Sequence, residues 1–377
     1  MRNWGAAMEP LLFVARSPSE AETMTIEADW QFCRLMLPRV SRTFALNIRI
    51  LEGELRDAAT LAYLLCRILD TIEDDTRLHG ETRAGLLNRI ADLINVGFNS
   101  SSDLEAWLQS AAVVSGKADD VELVRSTDRV VRCLFELDPR LQNAVYRSSE
   151  NMARGMARFC SAPRFDEFTP LATEADLDDY CYVVAGTVGE MLCGLFTGYY
   201  PKLPNDSRTR MDATAVSFGL GLQVTNIAKD FVTDRDRGDC FIPASYFEDE
   251  GATRSDLSRV DPRLAGRLLA RLARKAIGHL DDAMTYTLAI PRKYWRLRLF
   301  CVWPLWMAVA TLIRLGRSTE ALARGGAVKI TRAEVQEILV KTTLRVWSDG
   351  LLGSDYQRMR EAVLALVEPG DEELKAT

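Results

Sequence analysis

Two stretches of this chain place oxygen-bearing side chains at helical spacing. The first is Arg67-Ile-Leu-Asp70-Thr-Ile-Glu73-Asp74-Asp75, the second Gln223-Val-Thr-Asn226-Ile-Ala-Lys229-Asp230-Phe-Val-Thr-Asp234. Residues four apart share one face of a helix, so Asp70 and Asp74 point the same way, as do Asn226, Asp230 and Asp234. Each ladder follows an apolar run, Leu61–Cys66 or Val216–Leu222, and lies toward the predicted C-terminal end of its helix. A carboxylate there opposes the helix dipole by about 0.3–1 kcal/mol, and carboxylates one turn apart repel. Hard divalent cations with oxygen ligands offset both costs. A solvated acidic helix end explains one ladder as well as a cation does. It explains two less well, because both adjoin apolar faces.

Magnesium keeps several waters and is completed by substrate phosphates more often than by protein alone. Arg42, Arg67 and Lys229 can neutralise the remaining phosphate charge. Ser41-Arg42-Thr43-Phe44 is a polar turn whose hydroxyls cap the next helix, and the same groups suit phosphate oxygens. Arg67 lies three residues before Asp70, and a structural Arg67–Asp70 pair is its ordinary reading. A cation-and-phosphate mouth above apolar helix faces fits a hydrocarbon diphosphate. Departure of the diphosphate leaves a carbocation, which aromatic faces and carbonyl dipoles stabilise in a dry pocket.

The elements that position these groups read as helices throughout. One begins near Glu27 and stops before Pro38; others cover about 52–75, 83–97, 103–114, 120–136, 140–160, 206–233, 263–288, 295–315, 331–346 and 353–367. Asp176-Leu-Asp-Asp-Tyr180 opens a further helix that contains Gly186 and Gly189. Each glycine costs roughly 1 kcal/mol against Ala in a helix, and close approach of another helix is the commoner cause. No alternating apolar run is long enough for a sheet, and no G-x-G-x-x-G follows a strand. The prediction is an all-α protein with one large domain over 26–368, a loose arm at 1–25 and a polar tail at 369–377. The two ladders would face each other across a central cavity.

Composition narrows the function. The 377 residues are 47% hydrophobic and 27% charged, with net charge −6 and no Lys/Arg-rich run, which argues against nucleic acid as a partner. Eight scattered cysteines without a C-x-x-C pair point to a reducing, cytoplasmic setting. With only His79 and His279, a histidine triad or multi-histidine metal site is nearly excluded. The most apolar stretch, Leu299–Leu315, is interrupted by Pro304 and reads as a buried core helix, so no transmembrane anchor is expected.

Several motifs together resemble one family. Ser41-Arg-Thr-Phe44, Leu69-Asp-Thr-Ile-Glu-Asp-Asp75, Met152-Ala-Arg-Gly-Met156, Tyr180-Cys-Tyr-Val-Val-Ala-Gly-Thr-Val-Gly189 and Leu222-Gln-Val-Thr-Asn-Ile227 with Asp230 and Asp234 are similar to the squalene/phytoene synthases, over about 30–345. Gln223-Val-Thr225-Asn226-Ile227, Phe300–Thr311 and Gly326–Ile330 resemble the squalene branch. The resemblance implies a class I isoprenoid synthase bundle that joins two farnesyl diphosphates head to head. The first product would be presqualene diphosphate, which NADPH-dependent reduction would convert to squalene. By the same resemblance Asp70, Asp74, Asn226, Asp230 and Asp234 bind Mg²⁺ (Mn²⁺ as a substitute) with diphosphate. Ser41, Arg42, Thr43, Tyr63 and Arg67 contact a diphosphate. Tyr180 assists ionisation and proton handling, with Tyr182 as the fallback. Ala185, Val188, Leu192 and Gln223 line the prenyl pockets, and Phe44 lies beside the cation. Arg67, Lys229, Arg235 and Arg237 are the basic groups expected near NADPH.

One departure concerns the reductive step. The family commonly has Gly-Arg before the aromatic-x-Pro segment, and here Gly238-Asp239 precedes Phe241-Ile-Pro243. Condensation without reduction, to dehydrosqualene, phytoene or a hydroxysqualene, is therefore the alternative. A terpene cyclase is argued against by the tyrosine motif, and a non-catalytic prenyl-binding protein by the two intact ladders. Peripheral membrane contact is expected only because such products are insoluble.

Overall fold

A computed structural model describes residues 20–162, 171–236, 239–255, 262–317 and 328–367. Among these residues there is no strand. The helices are α1 (Glu20–Val40), α2 (Arg42–Ile48), α3 (Gly53–Glu73), α4 (Gly80–Asn95), α5 (Ser101–Ala111), α6 (Ala118–Arg125), α7 (Thr127–Phe135) and α8 (Pro139–Ser161). They continue as α9 (Glu174–Cys181), a π turn (Tyr182–Gly186), α10 (Thr187–Tyr199), α11 (Asn205–Asp236), α12 (Ala244–Glu248), α13 (Pro262–Ala289), α14 (Trp295–Gly316), α15 (Arg332–Arg345) and α16 (Asp349–Val367).

The starts of the site-bearing helices are legible in local chemistry. Asp138 accepts the Arg140 N–H at 2.9 Å with Pro139 in the first turn of α8. Thr173 and Asp176 form a capping box at α9. The stretch read as one helix over 120–136 is two. Ser126 leaves helical geometry, and Thr127 Oγ1 donates to the Val124 carbonyl at 2.7 Å, a side-chain bond that competes with the backbone ladder. Helix α1 begins inside the segment expected to be an arm, and it continues past Pro38. That proline sits in the last turn, so its missing N–H interrupts the ladder only at the helix end. Residues 1–19 and the tail from 368 lie outside the described residues.

Helix α3 packs on α8, α1 and α10, and α11 packs on α13 along much of its length. The segment α9–π turn–α10 runs between them and touches α3, α8 and α11, so it joins the two ladder-bearing halves of one core. Two glycines set that spacing. A Cβ on Gly189 would meet the Ala215 carbonyl oxygen at 2.0 Å, and one on Gly219 would meet that of Ala185 at 2.1 Å. The predicted close helix approach at Gly189 is thus reciprocal, with a glycine on each helix. Gly219→Ala is expected to destabilise the protein by about 1–3 kcal/mol, because backbone rather than a flexible side chain must yield. The denaturation midpoint measures this.

Glu174–Tyr199 and Arg292–Gly316 are apolar and long enough to cross a bilayer by composition alone, but about 50% and 67% of their apolar windows are buried in the bundle. The second contains the stretch expected to be a core helix. None of the eight cysteines, all among the described residues, is joined in a disulfide.

Candidate active site

The last turn of α3 concentrates negative charge. Asp70 is half-buried, and burial followed by repulsion from Asp74 pushes its carboxyl up to about 7. Glu73, also half-buried, lies well above the usual carboxylate range, through burial first and then Asp74, Asp70 and Asp239. Asp74 is exposed at the C-cap, its N–H donating to the Asp70 carbonyl at 2.8 Å. The next residue has a different part. Asp75 is buried and accepts from Ser115 N–H and Oγ, each at 2.8 Å, and from Arg77 Nε at 3.0 Å. It anchors the turn after α3, while its neighbour faces the mouth.

A strip of groups leads to this ladder from α2. Ser41 caps α2 by accepting the Phe44 N–H at 3.3 Å, as the ordinary reading of that turn predicts. Arg42, Thr43 and Phe44 are exposed on its first turn. The Phe44 ring lies 5.0 Å from that of Tyr63, and the Tyr63 hydroxyl is beside Ser41, Arg67 and Asp70. Arg67 is not hydrogen-bonded to Asp70 as its spacing suggested. Its Nε and Nη2 donate to both oxygens of Asp120 on α6, at 3.0 and 2.9 Å. Asp120 is the more buried of the two and takes the planar fork that a bidentate carboxylate fits.

On α11, Asn226 is exposed while Gln223, Asp230 and Asp234 are half-buried. Lys229 Nζ donates to Asn226 Oδ1 at 3.0 Å and lies 3.1 Å from Asp230 Oδ2, which offsets part of the ladder's charge. Among the described residues no three acidic, histidine or cysteine side chains converge into a metal cage. Two all-oxygen ladders without a closed cage fit magnesium whose remaining ligands are waters and phosphate oxygens. The donor set would suit zinc poorly.

Tyr180 links the two ladders. Its side chain is only 6% exposed, stacks on Phe241 at 5.0 Å and meets Phe159 edge-on at 5.2 Å. Burial raises its hydroxyl well above the usual phenol range, and Glu73, Asp74 and Asp70 add to that. Phe241 follows Asp239, whose N–H donates to the Asp234 carbonyl at 3.0 Å. Asp239 past the end of α11 lies near enough to act by charge on Glu73 at the end of α3, and Glu73 acts likewise on Tyr180. Tyr182 points elsewhere, donating to Glu190 at 3.3 Å. The π turn between them is a local widening of the kind that marks functional sites. On that segment Ala185, Val188 and Leu192 are half-buried along one face.

A cavity of about 510 Å³ lies beside Asp239, lined among others by His79, Arg83 and Ser161. Arg83 Nη1 donates to the Glu73 carbonyl, and its Nε is buried without a partner. Arg83 and Asp239 thus line the same cavity. The expected Arg237 and the Arg235 side chain lie outside the described residues. Glu73, Arg83, Phe159 and Phe241 were not anticipated as site residues. Glu73 had a signal, as it lies three residues after Asp70. Phe241 had one in the aromatic-x-Pro segment, whereas Arg83 and Phe159 come from distant helices and had none.

An all-α bundle with an acidic ladder at the end of each of two helices fits the class I isoprenoid synthase fold. Within that class, the family model for squalene/phytoene synthases matches residues 37–334, and the chain belongs to that family. It is 32% identical over 323 residues to the squalene synthase of Saccharomyces cerevisiae, covering 83% of this chain and 67% of that one. It is 29% identical over 338 residues to squalene synthase 1 of Arabidopsis thaliana, covering 88% and 76%. The structure of TcSQS with the ligand E5700 superposes with a TM-score of 0.71 at 24% identity, over 90% of this chain and 98% of that one. A dehydrosqualene synthase superposes at 0.56 with 17% identity, over 86% and 98%. These two likenesses speak to the fold.

Proposed function

We propose that this protein condenses two farnesyl diphosphates head to head, through presqualene diphosphate, and reduces the product to squalene with NADPH. The observation that carries the reading is Tyr180, buried beside the first ladder and stacked on the segment that leaves the second. The relatives named squalene synthase favour squalene over the non-reductive products.

Asp70, Asp74, Asn226, Asp230 and Asp234 would hold magnesium. When bound, Mg²⁺ would neutralise diphosphate oxygens and so favour their departure. Glu73 adds a further carboxylate to the same turn. Ser41, Arg42, Thr43, Tyr63, Arg67 and Lys229 would orient the diphosphates by charge-assisted hydrogen bonds. Tyr180 keeps its proton amid carboxylates, and its stacked ring aims the hydroxyl, so it would donate to a leaving oxygen and hold that position through the rearrangement. Phe44 and Tyr63 present aromatic faces to the developing cation. Ala185, Val188, Leu192 and Gln223 would shape the prenyl channel and exclude water. Arg67 and Lys229 would serve the phosphates of NADPH as well, with Arg83 as a further base in the cavity that Asp239 lines.

Incubation with farnesyl diphosphate and Mg²⁺, with and without NADPH, followed by mass analysis of the extracted lipid, tests this. Squalene only with NADPH is the expected result. Dehydrosqualene or an alcohol regardless of NADPH would remove the reductive half; no coupled product would remove both. Lys229→Ala is expected to lower kcat/KM by about 10–100-fold, the worth of one hydrogen bond to a charged group. Its melting temperature should barely move, since a half-exposed ion pair contributes about 1 kcal/mol or less.

A further inference from the structure

The outer face of α15 and the turn into α16 is apolar where a surface helix is normally polar. Val340, Leu344, Trp347 and Leu351 are 62%, 76%, 51% and 48% exposed. Val340 and Leu344, four residues apart, share one side of α15; Trp347 follows in the turn after it and Leu351 at the start of α16. The inner side is already satisfied, with Ile338, Thr342 and Val346 buried, the last against Leu299 and Trp303. The exposed stripe is therefore a second apolar surface. Trp347 continues it onto Trp295 at the start of α14, ring centres 5.6 Å apart.

The rim of this surface is basic in a chain whose net charge is −6. Arg292, Lys293 and Arg296 fall within five residues that contain no acid. Asp349 pairs with Arg292 and with the buried Arg298, and Glu52 with Arg296, which leaves Lys293 unmatched among the described residues and the exposed group net positive. On α15 itself, Arg332 and Glu337 cancel. On the inner edge, Lys341, Arg345 and Arg358 all crowd the single carboxylate of Asp355. Arg296 also lies 4.7 Å over the Trp295 ring, so cation and indole share one edge.

We propose that this face docks on a membrane whose surface carries anionic lipid headgroups. Exposed leucine and valine would enter the acyl boundary, Trp295 and Trp347 would sit at headgroup level, and the basic rim would meet the lipid charge. A second copy of this chain fits less well, because self-pairing would bring two positive rims together. The surface is also tied to the proposed substrate mouth. Ile50, just past α2, packs on the same small cluster, and Asn47 of α2 donates to the Phe300 carbonyl of α14 at 3.0 Å.

The test reads binding without turnover, so it stands or falls separately from the reaction proposed above. The full chain is floated with vesicles of one part phosphatidylglycerol to two parts phosphatidylcholine, and with phosphatidylcholine alone. At least tenfold tighter binding to the anionic vesicles, weakened by salt, is expected. Leu344→Asp with Trp347→Asp should reduce that binding tenfold or more with an unchanged circular dichroism spectrum, and Lys293→Glu should reduce it in proportion to charge. If the double variant misfolds, Val340→Asp alone takes its place. Absent binding to both vesicles, undiminished binding by the folded variants, or a dimer in sedimentation that Leu344→Asp dissociates would each overturn the proposal.

Discussion

Asp230→Asn is expected to lower kcat/KM for squalene formation by about 10²–10³-fold while leaving the fold intact. The exchange keeps the shape of the side chain, and an oxygen stays within reach of Lys229. Only the charge is lost. Charge is what this position supplies, because no three acidic groups among the described residues form a closed cage. Each ion would thus rest on few protein ligands, and losing one cannot be absorbed by the others. A preorganised charge at a departing anion is worth roughly that factor. The melting temperature should hold or rise slightly, since Asp230 and Asp234 repel one turn apart. A higher Mg²⁺ requirement, read by titrating the ion at fixed substrate, would separate this from misfolding. Wild-type rates at ordinary Mg²⁺ would sink the assignment of the second ladder.

Tyr180→Phe carries the second large expectation, a fall of about 10²–10⁴-fold, the usual span for a positioned proton donor. The phenylalanine ring retains the stack on Phe241 and the edge contact with Phe159, so the loss would report the hydroxyl rather than the packing. Tyr182→Phe is the paired control. It removes only a hydrogen bond to exposed Glu190 and should change the rate less than about threefold, because that bond spans the protein surface. Equal losses in the two variants would overturn the assignment of Tyr180.

The neighbouring acids at the end of α3 show how residue type alone misleads. Asp74 and Asp75 are adjacent and chemically identical. Asp75 turns inward onto Ser115 and Arg77 and holds a loop, whereas Asp74 stays exposed beside Asp70. Arg67 makes the same point. Its spacing placed it with Asp70, yet Asp120 of α6 offers a bidentate, more buried carboxylate and takes the guanidinium.

What the sequence determined by itself was local and periodic. Acidic and amide groups at four-residue spacing share a helix face by geometry, the absence of alternating apolar runs leaves only helices, and Gly189 within an apolar helix signals a close neighbour. These follow from the backbone repeat, which is the same in any fold. The tertiary structure decided which groups meet across chain distance. It stacked Tyr180 on Phe241, turned Tyr182 to Glu190, brought Asp239 and Arg83 to Glu73, and left Val340, Leu344 and Trp347 facing outward. Such contacts depend on how several helices pack at once, and no periodicity within one helix encodes the partner it finds on another.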